Sequence, residues 1–337
     1  MKKKYKILVT GVAGFLGSHL SEQLANLGHE VIGVDSMIGG YKDNIPKNIK
    51  FYNIDCCDYN KIKNIMNKIE VVYHCAATAH EGLSVFSPFE ITKNNYLASV
   101  SVFSAAIGHN VKRIIYCSSM ARYGEQQTPF IESMKALPVD PYAISKVAAE
   151  DVLINLCELN NIEWVIAVPH NIIGPRQKYD DPFRNVVSIM INRMLQGKAP
   201  IIYGDGEQKR CFSYIDDCLS CLLPMLDQKD LNKQIINIGP DEEFVTINNI
   251  AEICSNITGA NLPPIYKPGR PKEVKHATCS ADKARKFLNY KTSVSLKDGI
   301  QKTYEYIKKR GIKPFDYNID IEIENELTPK TWTQKEI

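Results

Sequence analysis

The chain has 337 residues, 44% apolar and 23% charged, with 41 basic against 38 acidic side chains for a formal net charge of +3. That length allows one large α/β domain with a smaller lobe and a sizeable buried core. The near balance of charge gives no case for nucleic acid or an acidic membrane as partner, the basic run Lys2-Lys3-Lys4 reads as a solvated tail, and no apolar run approaches the length of a membrane-spanning helix.

Short apolar runs at 6–10, 30–34, 49–53, 71–74, 113–117 and 164–168 predict strands. Helical periodicity fills the intervals at about 15–27, 59–68, 89–108 and 142–160. Near-continuous apolar strands alternating with amphipathic helices predict a doubly wound parallel sheet covered on both faces. Beyond residue 170 the rhythm breaks at Pro169, Pro175, Pro182, Pro200, Gly204 and Gly206, and again at 263–264 and 268–271. This predicts a smaller lobe whose loops cover the mouth of the sheet. The division expected is 1–170, 171–315 with segments free to return to the sheet, and a tail at 316–337. Period-two alternation at 319–324 reads either as an edge strand or as a frayed terminus.

The ten cysteines make no paired CxxC set. Cys218 and Cys221 share one CxxC inside an apolar helical run, which reads as buried thiols rather than a zinc or redox site. Cys56-Cys57 is a vicinal pair without a partner motif. Many free thiols point to a reducing cytoplasm, and no metal site is expected.

The run Thr10-Gly11-Val12-Ala13-Gly14-Phe15-Leu16-Gly17 joins the first strand to the first helix. A lysine-led apolar stretch of this kind can imitate a signal peptide. Its regularly spaced glycines instead suit a tight turn that brings backbone N–H groups and a helix N-terminus to a pyrophosphate. Asp35, ending the second strand, offers a carboxylate to a ribose diol and repels a 2′-phosphate, so NAD is expected over NADP.

Asp140-Pro141-Tyr142-Ala143-Ile144-Ser145-Lys146 reads as an N-cap, a proline at the first helical position, and a Tyr–Lys pair on one helix face. An ammonium beside a phenol is expected to lower the phenol's pKa and fit it to take a proton from a sugar hydroxyl. Ser119, in Tyr116-Cys117-Ser118-Ser119-Met120-Ala121-Arg122-Tyr123-Gly124, falls at the carboxyl end of the fifth strand, the edge where such sheets bind ligands.

Together these motifs, with His74-Cys75-Ala76-Ala77, resemble the extended short-chain dehydrogenase/reductases, and within them the UDP-glucose 4-epimerase-like sugar-nucleotide epimerases. The resemblance runs from residue 6 to about residue 305. It implies a Rossmann domain that binds NAD, followed by a sugar-nucleotide lobe. It implies Ser119, Tyr142 and Lys146 as catalytic residues. It places Gly11, Gly14, Phe15, Leu16, Gly17 and Asp35 at the cofactor, Asp55 against the adenine, and Cys56, Ala76, Ala77 and Asn95 along the cofactor pocket. For the substrate it implies Asn171, Asn185, Val186 and two phosphate-gripping arginines, Arg210 and Arg270, with Glu273 at the ribose. A homodimer through the 89–108 and 142–160 helices is implied as well.

Three positions depart from the family pattern. Val168 stands where an arginine is common, Glu273 where aspartate is usual, and Arg122 where a small aliphatic is usual. Arg122 is left facing either the sugar or the surface. The family's 4,6-dehydratases carry an Asp-Glu pair where this chain has Met120-Ala121, so dehydration lacks its proton carriers. The expected reaction is NAD-dependent epimerisation at C4 of a nucleotide-diphosphate sugar. The alternatives are a sugar-nucleotide oxidoreductase with net redox change and an inert dinucleotide-sensing module. Ala277 is expected beside the sugar, where its small side chain leaves room for an N-acetyl group, so UDP-GlcNAc/UDP-GalNAc is expected beside UDP-glucose/UDP-galactose.

Overall fold

The computed structural model describes residues 3–337. Lys3 and Lys4 are exposed, as expected of a solvated run; Lys2 lies outside the described residues. Six strands come from the first half: β1 (Lys6–Thr10), β2 (Glu30–Asp35), β3 (Lys50–Asn53), β4 (Val71–His74), β5 (Arg113–Cys117) and β6 (Glu163–Pro169). They pair in parallel in the order β6-β5-β4-β1-β2-β3, and the strand Gln234–Ile238 adds a seventh beyond β6. The stretch that imitates a signal peptide is thus an interior strand of the sheet, between β4 and β2, with the turn that follows it.

Both faces of the sheet are covered, which is why its strands are apolar throughout. On one face Ile62, Val102, Phe103, Ala149 and Leu153 come from the helices Tyr59–Ile65, Ala98–Gly108 and Pro141–Leu159. On the other, Leu20 and Leu24 of Phe15–Asn26 pack with Cys218, Leu219 and Cys221 of Ile215–Leu222 and with Ala284 and Leu288. Cys218 and Cys221 are therefore core residues. The expected helix at 89–108 has an internal break: Pro88–Thr92 passes into a π-helical turn, Lys93–Leu97, before Ala98–Gly108.

The smaller lobe packs the helices Val186–Leu195, Ile247–Thr258 and Leu296–Arg310 around Val187, Met190, Ile191, Ile250, Cys254 and Ile300. Short strands link it to the sheet's carboxyl edge. One is Lys209–Arg210, flanked by Val245–Thr246 and His276–Ala277.

The 319–324 stretch forms neither an edge strand nor a loose end. Glu322 and Ile323 give their N–H groups to the Phe86 carbonyl, at 2.9 and 2.8 Å. Ile319, Trp332 and Ile337 bury themselves against Leu83, Phe86 and Phe183. The alternating apolar residues anchor the tail to the loop that follows β4, and side-chain packing replaces a ladder.

Candidate active site

A cavity of about 490 Å³ opens at the carboxyl edge of the sheet. Its floor is the turn after β1. Gly11 has φ +78°, and a Cβ on Gly17 would stand 2.2 Å from the Gly11 carbonyl oxygen, so neither position accepts a side chain. Asp35 closes one side. Its carboxylate accepts from Ala13 N at 2.9 Å and Met37 N at 2.7 Å; burial raises its pKa, and these N–H groups oppose that rise. Each oxygen keeps a lone pair for a further donor. Asp55, Cys56, Ala76, Ala77, Phe15 and Leu16 line the same wall. A glycine cradle without room for a Cβ, ending at a ribose-sized acceptor, fits a dinucleotide. Gly11, Gly14, Gly17 and Asp35 would hold it.

The Pro141–Leu159 helix carries Tyr142 and Lys146. Asp140 caps it, accepting from Ala143 N at 2.9 Å, and Pro141 opens it. Tyr142 and Lys146 are buried on its inner face, and Ser119 stands just past β5 on the same cavity. Lys146 Nζ donates to the Cys117 carbonyl at 2.6 Å and lies 4.4 Å from the Tyr116 ring centre. Burial lowers its pKa to about 8.

The expected acidification of Tyr142 is not what the free pocket produces. Burial holds its phenol above the ordinary value, Glu81 and Asp140 push it further, and the Ser119 hydroxyl and Arg184 oppose them. Lys146 is turned toward Cys117 and is itself destabilised as a cation. Its field on the phenol is therefore smaller than helix spacing alone suggests.

The same cavity is lined by Asn171, Asn185, Val186, Arg210, Arg270 and Glu273. Among the described residues Arg210 is held by backbone carbonyls, those of Lys209, Val274 and Lys275, and by no hydrogen-bonded carboxylate. Arg270 pairs with Glu273 at 2.7 Å and stacks 4.8 Å from the Tyr203 ring centre. Asn171 and Asn185 both adopt positive φ, +43° and +67°, a cost that a site tolerates where the backbone must turn sharply.

Two expected residues are not on the cavity wall. Asn95 is buried and uses its amide on Thr78, accepting from its N at 2.8 Å and donating to its O at 3.1 Å; Asn94 lines the cavity instead. Ala277 is turned into the core with Met120, Tyr123, Phe130 and Cys279, because its strand pairs alongside Arg210. Ala277 therefore opens no room onto the cavity for an N-acetyl group. Arg122 faces neither sugar nor solvent: it is buried in an ion pair with Glu150 at 2.9 Å, on the catalytic helix.

Several lining residues escaped the sequence reading. Glu81, Phe183, Arg184, Tyr203 and the tail's Asn318, Ile319 and Ile337 all reach the cavity. For Glu81 a signal existed: it lies a few residues past the carboxyl end of β4, the ligand edge of such sheets. His80 and Asp181 form a buried pair at 2.7 Å that fixes this segment.

Residues 7–239 match the model of the NAD dependent epimerase/dehydratase family. Among solved structures, UDP-glucose 4-epimerase of Thermotoga maritima with UDP-glucose is 33% identical, with a TM-score of 0.85, covering 90% of this chain and 99% of that one. UDP-glucuronic acid 4-epimerase of Bacillus cereus, in complex with UDP-glucuronic acid and NAD, is 30% identical, with a TM-score of 0.84, covering 91% and 100%. A curated relative with a different activity, UDP-N-acetyl-alpha-D-glucosaminuronate decarboxylase of Bacillus cytotoxicus, is 29% identical over 91% of this chain and 98% of its own. Fold, glycine cradle and whole-length likeness agree, and the chain belongs to the NAD-dependent epimerase/dehydratase family.

Proposed function

We propose that the protein inverts C4 of a nucleotide-diphosphate sugar through a 4-keto sugar. One observation carries this reading: Ser119, Tyr142 and Lys146 line the same cavity as Arg210 and Arg270. Tyr142 takes the proton of the C4 hydroxyl and later returns it. Ser119 hydrogen-bonds the same oxygen as it becomes a carbonyl. Lys146 contributes a buried donor whose charge favours the phenolate. Gly11, Gly14, Gly17 and Asp35 would hold NAD, whose nicotinamide would supply reversible hydride transfer at C4. Arg210 and Arg270 grip the diphosphate, so the sugar can turn over while the nucleotide stays fixed. Met120 and Ala121 carry no ionisable group, so no elimination is supported beyond the ketone.

The test is a panel of UDP-, dTDP- and GDP-sugars incubated with the purified protein, with C4 configuration followed by NMR. Inversion of at least one sugar without net cofactor reduction supports the reading; stoichiometric reduction supports the oxidoreductase alternative. The apolar side chains Phe89, Leu97 and Ile144 are exposed on the helical segments expected at a dimer interface. We infer a homodimer through that face, checked by light scattering of the wild type and of Ile144→Glu. No described helix is long and apolar enough to cross a membrane; a cytoplasmic setting accords with the ten free thiols.

A further inference from the structure

Glu81 opens a short helix, Glu81–Ser84, just beyond β4. Its side chain lines the cavity, and among the described residues no group hydrogen-bonds or pairs with its carboxylate. The segment cannot swing away. On one side His80 Nε2 is bonded to Asp181 at 2.7 Å; on the other, Ser84 Oγ donates to Asp140, the cap of the catalytic helix, at 3.2 Å. Gly82 brings the same segment under Arg270, whose guanidinium would lie 3.4 Å from a Cβ there.

The charge of Glu81 acts on Tyr142, and Glu81 in turn feels Asp140, Arg210, Arg270 and Glu273. Its short helix meets the cap of the Tyr142 helix through Ser84 and approaches Arg270 at Gly82, and Glu81 lines the cavity these groups share. The other acids of the cavity are already committed. Glu273 is paired with Arg270 and Asp181 with His80, and Asp35 and Asp55 accept backbone N–H groups. A diphosphate would engage Arg210 and Arg270. That leaves Glu81 as the charge the sugar meets.

We propose that Glu81 selects the sugar class: the cavity takes nucleotide hexoses whose ring substituents are neutral or cationic and rejects those bearing a carboxylate. A hydroxyl or amino group donates to the Glu81 carboxylate, whereas a uronate would set two like charges side by side in the cavity. This rests on the nucleotide-sugar reading and narrows it. Burial, with Asp140, raises the Glu81 carboxyl to about 7, against the pull of Arg210 and Arg270. The selection is accordingly strongest above neutrality and relaxes as the carboxyl gains a proton.

Titration calorimetry on the NAD-loaded protein tests this with UDP-glucose and UDP-glucuronic acid, at pH 8 and pH 6, for wild type and Glu81→Gln. Wild type is expected to favour UDP-glucose by roughly tenfold or more at pH 8, with a smaller ratio at pH 6 and a ratio near one in Glu81→Gln at both. Equal affinities in wild type at pH 8, or a preference unmoved by both pH and Glu81→Gln, overturns the assignment. The pH series on wild type decides even if the variant fails to fold. Failure of both sugars to bind removes the UDP-sugar form of that reading and this inference together, whereas equal binding removes only the role of Glu81.

Discussion

Lys146 spends its ammonium on a backbone carbonyl, that of Cys117, 2.6 Å away, and not on the phenol four residues before it. The ammonium is buried, and desolvation has brought its pKa from 10.5 to about 8. The folded state thus disfavours the bound proton. The cost is present in full below about pH 8 and fades as pH rises toward the unfolded value of 10.5.

Lys146→Met removes that cost along with catalysis. At pH 7 the variant should be at least as stable as wild type, with a relief on the order of 3 kcal/mol set against one lost hydrogen bond. Denaturant titrations at pH 7 and pH 10 check the sign: the variant's relative advantage shrinks at pH 10. An advantage that grew with pH would mean that the lysine is not a strained cation.

Tyr142→Phe deletes one hydroxyl from a buried ring. Turnover should fall by about three orders of magnitude while NAD remains bound, because the glycine cradle and Asp35 are untouched. Cofactor content measured on the purified variant separates the two effects. Near-normal turnover would remove Tyr142 from the chemistry.

Much of this was legible in the sequence. Parallel strands buried on both faces must be apolar along their length, so β1 to β6 announced themselves. The Gln234–Ile238 strand did not, because Asn237 interrupts it; that side chain is buried, accepting from the Tyr123 hydroxyl at 2.8 Å and donating to the Phe130 carbonyl. The Gly11–Gly17 turn and the Tyr142–Lys146 pair depend on local spacing and were legible for that reason. Asn95, placed at the cofactor by family resemblance, lies in the π-helical turn Lys93–Leu97 with its amide on Thr78, while Asn94 lines the cavity. Ala277 and Arg122 were misread because their surroundings are set by distant segments, the Lys209–Arg210 strand and Glu150. Neither neighbour can be inferred from local pattern.

Arg122 and Glu150 form a buried pair that also receives the Ser118 hydroxyl. Arg122→Ala leaves a buried carboxylate uncompensated and should cost roughly 3–5 kcal/mol. Arg122→Met with Glu150→Leu should recover most of that loss. Urea midpoints of the single and double variants read it; a double variant as unstable as the single would show that the pair contributes more than mutual neutralisation.

Asp181 is buried, which alone would raise its pKa, yet His80 and Arg184 hold it down at about 2. Its contribution to stability is therefore complete above the unfolded value near 4 and is lost as pH falls toward 2. Asp181→Asn should be less stable than wild type at pH 6, and the two should converge in acid. Melting curves at pH 6 and pH 3 check this; a constant difference would place the effect in packing.

The most direct test of the account is epimerisation carried out in D₂O, with the C4 position of the product read by NMR. The account predicts inverted C4 still carrying its original hydrogen, because that hydrogen leaves and returns within the closed site while only the hydroxyl proton, handled by Tyr142, exchanges. Deuterium bonded to C4 of the product would contradict it.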